Sequence, residues 1–229
     1  MAAVPKPATT RHRPRTPGRL PAPDIPPKGA DVTREKLLQA THELLFELGG
    51  EEPSVSQICE RADVRVAMVS YCFGSKAGLL EALGERAVAH LMAEEAHLIA
   101  LGLPPEEAMA LHVRAMVLNF VRYPYFSSLS ERIAAGDPTA TGMAHTVARP
   151  TIDFYRDLLA QGAASGVFRD DVDPTLLWFS IVGMCEFIFN ARSWLTETGE
   201  KLNDALVDRF VDHTVQFVLH GLAPAPTAA

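Results

Sequence analysis

The sequence predicts an all-α protein, and three observations support that prediction. Apolar residues recur every three or four positions from residue 33 to residue 220, which is the period of helices that bury one face. Ser, Thr, Asp and Pro stand where these segments begin, and Gly or Pro stands where many of them end, as is typical of helix boundaries. No segment alternates polar and apolar residues for long enough to form a strand.

The first helices are short and sharply bounded. One helix follows Thr33 and ends at Gly49-Gly50, and Ser54 with Gln57 has the pattern of a capping box that begins a second helix. Asp63 then predicts a tight turn, because Asp tolerates left-handed backbone geometry. A third helix is expected from about Arg65 to Cys72, and Ser75 is expected to cap a long fourth helix.

The second part of the chain also predicts helices in succession. Pro104-Pro105 followed by two glutamates is a strong helix start, because proline suits the first turn and carboxylates suit the positive end of the helix dipole. Pro150 either kinks a later helix or opens its main part. The expected spans are 105–122, 125–134, a helix ending near 165, 174–195 and 203–220.

Composition and charge limit the class of protein. The chain has 229 residues, of which 48% are hydrophobic and 21% charged, so it is globular and large enough for a substantial core. The longest apolar run, residues 176–185, is too short to cross a bilayer, and the N-terminus lacks the apolar block of a secretory signal. The three cysteines are far apart, which indicates neither a disulfide framework nor a metal site. We therefore expect a cytoplasmic protein with no membrane partner and no cofactor.

Residues 1–30 differ from the remainder of the chain. They carry a net charge of +5 and eight of the 17 prolines, whereas residues 31–86 carry −4 and residues 87–229 carry −8. Proline removes backbone donors, so this segment is predicted to be a disordered basic arm. A basic arm on an acidic body is typical of proteins that bind a polyanion such as nucleic acid. A solubilising tail without further function is the alternative.

Two short helices joined by a tight turn within a three-helix unit form a helix-turn-helix pattern. The run from Ser54 to Val64, followed by Val69-Ser70-Tyr71-Cys72-Phe73-Gly74-Ser75-Lys76 and Leu79-Leu80, resembles the tetracycline-repressor (TetR) family. The detailed resemblance covers residues 33 to about 86; beyond it, the helix order and the passage from Gly166 to Pro174 match. It implies a dimer with about nine helices per subunit. The expected domains are a helix-turn-helix domain (31–78), a ligand-binding and dimerisation domain (79–221) and a flexible tail (222–229).

The resemblance assigns a set of residues to DNA binding. Hydroxyls and a lysine at helix starts suit phosphate contacts, and the outward start of the third helix suits contacts to base edges. The set is Ser54, Ser56, Arg65, Val66, Ala67, Met68, Ser70, Tyr71 and Lys76. Val64, Val69 and Phe73 are predicted to be core residues.

Several of these positions depart from the family pattern. The family usually has a small hydroxyl residue in place of Arg65, Thr or Ser in place of Met68, and commonly Tyr and His in place of Ser70 and Cys72. Fewer hydroxyls and no imidazole weaken the attraction to phosphate. We hypothesise that basic residues of the arm supply part of that attraction; they are Arg11, Arg13, Arg15 and Arg19.

The resemblance also places an effector pocket in the larger domain. Aromatic and methionine side chains make an adaptable apolar wall, and Asn119, Arg122 or Glu186 could anchor a polar group. The candidate lining residues, each of which could instead be ordinary core, are Met116, Asn119, Phe120, Tyr123, Phe126, Phe154, Tyr155, Phe179, Met184 and Phe187.

The helix from Pro174 is apolar on most of its sides, so it must be buried on two sides. The resemblance implies that one of these sides is the partner subunit, so that this helix and the last helix form a four-helix interface between two subunits; the alternative is that both helices lie inside a monomer. The candidate interface residues are Trp178, Val182, Cys185, Phe189, Phe210, Val211 and Phe217.

These features predict a ligand-responsive transcriptional regulator, most simply a repressor. It would bind a palindromic operator in double-stranded DNA as a homodimer, and a largely apolar small molecule of unknown identity would release it. The alternative is a TetR-like ligand- or protein-binding module with little or no DNA binding. No catalytic or metal-binding motif stands out in the sequence, because the histidines are dispersed and the three aspartates at 170–173 suit a solvated loop.

Overall fold

The computed structural model of the chain describes residue 20 and the ranges 30–48, 51–126, 142–190 and 192–225, with the side chains of 142–146, 189–190, 192–193 and 196 left out. Every regular element within these ranges is an α-helix, which confirms the all-α prediction. Three predictions lie wholly or partly outside the ranges: the basic arm, the short helix over 125–134 and the C-terminal tail. None of the helices in this part of the chain is long and apolar enough to span a membrane.

The described ranges contain the following helices. We number them in chain order as α1 (Ala30–Glu47), α2 (Val55–Ala62), α3 (Ala67–Phe73), α4 (Lys76–Ala100), α5 (Pro105–Arg122), α6 (Gly142–Ala164), α7 (Pro174–Asn190), α8 (Arg192–Glu197) and α9 (Asp204–Leu222).

The N-terminal unit consists of α1, α2, α3 and the first half of α4. Its core is built from leucines of α1 and α4 with Ile58 and Val69. Leu20 also belongs to this core, and its backbone N–H donates to Oε1 of Gln39 at 2.8 Å. Tyr123 and Tyr125, which follow α5, are buried in the same core. The end of α5 is therefore fixed to the N-terminal unit.

The C-terminal unit packs α5, α6, α7 and α9 around a second core. The 25-residue helix α4 runs from the first unit to the second, where it contacts α5 and α6. Pro150 lies inside α6, so the helix continues on both sides of it. A side chain at Gly162 would overlap the ring of Phe168, which explains a glycine in the interior of this helix.

The structure moves several predicted boundaries. Ala30 is already helical, so Thr33 lies inside α1 and does not cap it, and α3 begins at Ala67. The helical residues expected to end at 195 continue to Glu197, where α8 ends. α9 extends to Leu222, which the sequence placed in the tail, because this side chain is buried in the C-terminal core and its carbonyl accepts the N–H of Arg169.

Candidate functional site

A capping box and a left-handed turn build the helix-turn-helix. The Ser54 hydroxyl accepts the N–H of Gln57 at 3.2 Å, and Oε1 of Gln57 accepts the N–H of Ser54 at 2.8 Å. α2 ends at Asp63, whose φ of 53° and ψ of 54° are left-handed. The next N–H, of Val64, donates to the carbonyl of Cys59 at 3.0 Å. These contacts set the direction in which the chain enters α3.

α3 presents one face to solvent and the other to the N-terminal core. Arg65 and Val66, just before α3, and Ala67, its first residue, are exposed. Further along the helix Ser70 and Tyr71 are also exposed, and Tyr71 is 74% exposed. Val69 is buried, whereas Met68 is half-buried and packs against the N-terminal core. The structure therefore turns Met68, predicted as a base contact, partly inward. Val64 and Phe73 also pack against this core.

Arg34 of α1 holds the end of α3. Its Nη1 donates to the carbonyl of Cys72 at 2.9 Å, and its guanidinium lies 4.2 Å from the centroid of the Phe73 ring. The end of α3 also lies close to α4. Gly78 of α4 permits this close approach, because a Cβ at that position would overlap the carbonyl oxygen of Phe73. α3 is thus fixed against both α1 and α4.

The expected phosphate contacts lie at two helix starts. Ser54 and Ser56 are exposed beside the first turn of α2. Lys76, at the start of α4, forms an ion pair with Glu52, with Nζ and Oε2 separated by 2.6 Å. Sequence reasoning missed this pairing, because Glu52 is distant in sequence and no local pattern connects the two side chains. DNA would have to compete with Glu52 for the lysine, at little cost for a partly exposed pair.

An apolar cavity of about 170 Å³ lies in the C-terminal unit. Five predicted pocket residues line it: Met116, Asn119, Phe120, Tyr123 and Phe126. The other lining residues are Leu91 of α4, Val147 and Thr151 of α6, and Trp178 and Val182 of α7. The sequence did not predict Leu91, Val147 or Thr151 in the pocket, and it assigned Trp178 and Val182 to the subunit interface.

The remaining predicted pocket residues do not line this cavity. Tyr155 is buried in the C-terminal core, and Phe154 and Met184 pack against that core. Phe179 and Phe187 are 59% and 65% exposed. Trp178 and Val182 are one helical turn apart, and both face the cavity. Phe179 and Phe187 lie on a different side of the same helix, and that side faces solvent.

Some of the predicted interface residues are buried and others are exposed. Cys185 and Val211 are buried inside their own subunit, Phe210 packs against the C-terminal core, and the side chain of Phe189 lies outside the described residues. Only Phe217 of the expected set is strongly exposed within the described part. Leu176, Phe179 and Phe187 of α7 are exposed as well, and with Phe217 of α9 they make up what we call the outer apolar face.

A polar network connects α4 to α5 at the edge of the cavity. Glu94 lies 3.2 Å from Nη1 of Arg122 and 3.0 Å from Nε2 of His90, and it accepts a hydrogen bond from Nδ2 of Asn119 at 3.0 Å. Burial and the charge of Arg122 lower the pKa of His90, although Glu94 acts in the opposite direction. Arg122, considered as an anchor for a ligand, is therefore already paired.

An exposed helix α3 in the N-terminal unit, together with an apolar cavity in the C-terminal unit, is the arrangement of a DNA-binding regulator that responds to a ligand. Residues 37–83 match the family model for bacterial regulatory proteins of the tetR family, and residues 102–227 match the model for the tetracyclin repressor-like C-terminal domain. The chain belongs to the tetR family of transcriptional regulators, as the sequence resemblance predicted.

Relatives and solved structures agree with this membership. The chain is 27% identical to the HTH-type transcriptional repressor NicS of Pseudomonas putida over 170 residues, which cover 73% of this chain and 80% of that protein. It is 38% identical to the regulator BetI of Yersinia pestis over 73 residues, which cover 31% of this chain and 37% of BetI. The fold resembles that of the ketosteroid regulator KstR2 of Mycobacterium tuberculosis, with a TM-score of 0.67 at 18% identity over 84% of this chain and 95% of that one.

Proposed function

We propose that this protein is a repressor that binds a palindromic operator as a homodimer and releases it when a small, largely apolar effector enters the cavity. The outward face of α3 is the observation that supports DNA binding most directly. The repressor NicS, similar over most of both chains, favours repression as the outcome. A regulator of chromosomal transcription in bacteria would act in the cytoplasm.

In this proposal, α3 enters the major groove. Arg65 and Ser70 offer hydrogen bonds to base edges, Val66 and Ala67 offer apolar contact, and the hydroxyl of Tyr71 can reach a phosphate or a base. Ser54, Ser56 and Lys76 would contact the backbone on either side. Met68 would support α3 from below, because part of its surface is used in packing.

The proposed dimer forms through the outer apolar face. Large apolar side chains at 176, 179 and 187 recur on one side of α7, and Gly183 between them is exposed and leaves room for close approach. Such a patch on one subunit is costly in water and fits a second copy related by a two-fold axis. A dimer also explains how two copies of α3 can contact successive major grooves.

The response to the effector would pass through residues that belong to two sites. Tyr123 lines the cavity and is buried in the core of the N-terminal unit. Asn119 lines the cavity and hydrogen-bonds Glu94 of α4. An occupant that moves either side chain shifts α4 or the N-terminal core, provided that it binds the two arrangements with different affinity.

Selection of bound sequences from a random DNA pool with the full-length protein tests the proposal. We expect an enriched palindrome with half-sites about 34–36 Å apart. Tyr71→Ala should weaken binding to it by about tenfold or more, the scale of a single interaction with a base or a phosphate. Trp194→Ala removes another exposed aromatic residue and should leave affinity unchanged. Wild-type affinity in Tyr71→Ala, or no salt-sensitive binding to any sequence, would favour the ligand- or protein-binding alternative.

The same titrations address the basic arm, whose arginines lie outside the described residues. A form of the protein that begins at Leu20 retains the buried leucine and its bond to Gln39 but lacks Arg11 to Arg19. We expect the slope of log affinity against log salt to become shallower by about 0.9 for each phosphate that the arm neutralises in the wild type. An unchanged slope would assign the arm no role in DNA binding.

A further inference from the structure

A groove of about 350 Å³ adjoins the apolar cavity. It runs between α4 and α5, and it shares Leu91, Met116, Asn119, Val147 and Thr151 with the cavity wall. The two spaces therefore meet along a common set of side chains. Both linings are largely apolar, but the described cavity wall has no ionisable side chain other than Tyr123, whereas the groove wall includes Glu94, Glu95, His97, His112 and Arg114.

Glu95 is a half-buried carboxylate with too few partners. Among the described residues its one hydrogen bond comes from the Thr151 hydroxyl, at 2.8 Å from Oε2. That hydroxyl also lies 2.9 Å from the carbonyl of Val147, so its single proton is shared between two acceptors. Burial raises the pKa of Glu95, because the charged form loses water without gaining a cation.

The cations near the groove are paired with other residues. The guanidinium of Arg114 lies 3.0 Å from Asp212, and that of Arg122 lies 3.2 Å from Glu94. His112 carries no charge to offer, because burial lowers its pKa to about 4. Within the described part of the chain, no arginine or lysine is paired with the Glu95 carboxylate.

A second unsatisfied polar group belongs to His112, a residue of the groove wall. His112 is 5% exposed, and its Nε2 is buried with no hydrogen-bond partner among the described residues. Its ring packs edge-on against Tyr155, with 5.0 Å between centroids.

We infer that the effector is an amphipathic amine, with its apolar body in the cavity and its protonated nitrogen in the groove at Glu95. The inference rests on the proposed function, in which the cavity holds the effector. Thr151 lines both the cavity and the groove, and it contacts Glu95. One molecule can therefore place an apolar group in the cavity and, through a short chain, a nitrogen at the Glu95 carboxylate. A carboxylate ligand would instead bring like charge towards Glu94 and Glu95 in a partly desolvated site.

Three matched probes test the charge preference: phenylbutylamine, phenylbutanol and phenylbutanoate. The Trp194→Phe variant of the full chain leaves Trp178, on the cavity wall, as the one remaining tryptophan of two, so its fluorescence reports binding. We expect the amine to bind about tenfold or more tightly than the alcohol, on the scale of one charge-assisted hydrogen bond, and the carboxylate to bind most weakly. Equal affinities, a preference for the carboxylate, or no binding by any probe would overturn the inference.

The Glu95→Gln variant identifies the residue responsible. It should remove the advantage of the amine over the alcohol and leave the affinity for the alcohol within about twofold, since the side-chain shape is kept. Glu85→Gln, an exposed position on the same helix, is the matched control and should retain the full preference. A preference that survives Glu95→Gln would also overturn the inference. Operator binding without any probe is measured separately, so a loss of DNA binding would count against the proposed function instead.

Discussion

His112 and Tyr155 are polar side chains enclosed by apolar neighbours in the C-terminal unit. Nε2 of His112 and the hydroxyl of Tyr155 are both buried without hydrogen-bond partners among the described residues. Burial lowers the pKa of His112 to about 4 and raises that of Tyr155 well above its ordinary value. The folded protein therefore keeps both side chains neutral near pH 7, and acid must either unfold the unit or leave His112 unprotonated.

This burial predicts a pH dependence of stability. Between about pH 6.5 and pH 4 the unfolded chain binds a proton at His112 that the folded chain does not. The contribution of His112 to the free energy of unfolding is therefore fully retained above pH 6.5. It is lost as the pH falls, by up to about 1.4 kcal/mol per pH unit. His112→Gln cannot take up this proton, so its free energy of unfolding should fall less steeply with acid.

Urea unfolding of both proteins at several pH values measures the difference. We expect the gap in unfolding free energy between wild type and His112→Gln to be constant above pH 7 and to change progressively below pH 6.5. Parallel curves over the whole acid range would show that His112 titrates alike in the folded and unfolded chains.

At the scale of elements, the position of α3 depends on how closely α4 approaches it. Gly78 lies where a Cβ would overlap the carbonyl oxygen of Phe73, the last residue of α3. Elsewhere in an exposed helix, replacing glycine by alanine stabilises by roughly 0.5–1 kcal/mol. Here the added methyl group must push α3 and α4 apart.

We therefore predict that Gly78→Ala lowers the free energy of unfolding by about 1–3 kcal/mol, the range for overpacking, and weakens operator binding. Gly221→Ala near the end of α9 is the control, since nothing lies within 4 Å of a Cβ at that position. Chemical denaturation and DNA titration of both variants provide the measurements. A Gly78→Ala protein as stable as the Gly221→Ala protein would refute this account of the α3–α4 contact.

The elements also show what sequence can and cannot predict. Ser54 with Gln57, Asp63, and Ser75 act through bonds within a few residues, so their pattern predicted the start and end of α2 and the start of α4. The orientation of α7 could not be predicted in this way. Because α7 is apolar on nearly every side, its sequence does not indicate which side faces the core. The assignment of Trp178 and Val182 to the interface, and of Phe179 and Phe187 to the pocket, follows from that ambiguity. Packing against α5, α6 and α9 determines which side of α7 faces inward.

At the scale of the whole molecule, the proposed dimer would bring two recognition helices together through the outer apolar face. Leu176, Phe179 and Phe187 leave most of their surface in water in a single subunit. Burying them against a second copy would release that surface from water at roughly 25 cal/mol per Å². Assembly and operator affinity are therefore expected to change together.

Phe187→Arg tests this coupling. A charge at the centre of an apolar contact should raise the dissociation constant of the dimer by roughly thirtyfold or more, which corresponds to about 2 kcal/mol. Ile99→Arg places the same charge on an exposed apolar position of α4 and should leave the oligomeric state unchanged. Sedimentation velocity over a range of concentrations gives the dissociation constant. A Phe187→Arg protein that assembles like wild type would place the subunit contact on another surface.

Tyr123 has a consequence for anyone who retargets this protein as a biosensor. Its ring is part of the cavity wall and also part of the core that supports α3. Substitutions at Tyr123 would change the cavity wall and would also disturb the core of the N-terminal unit in the same variant. Phe120 and Val147 line the same cavity without belonging to that core, so they are the better positions to randomise.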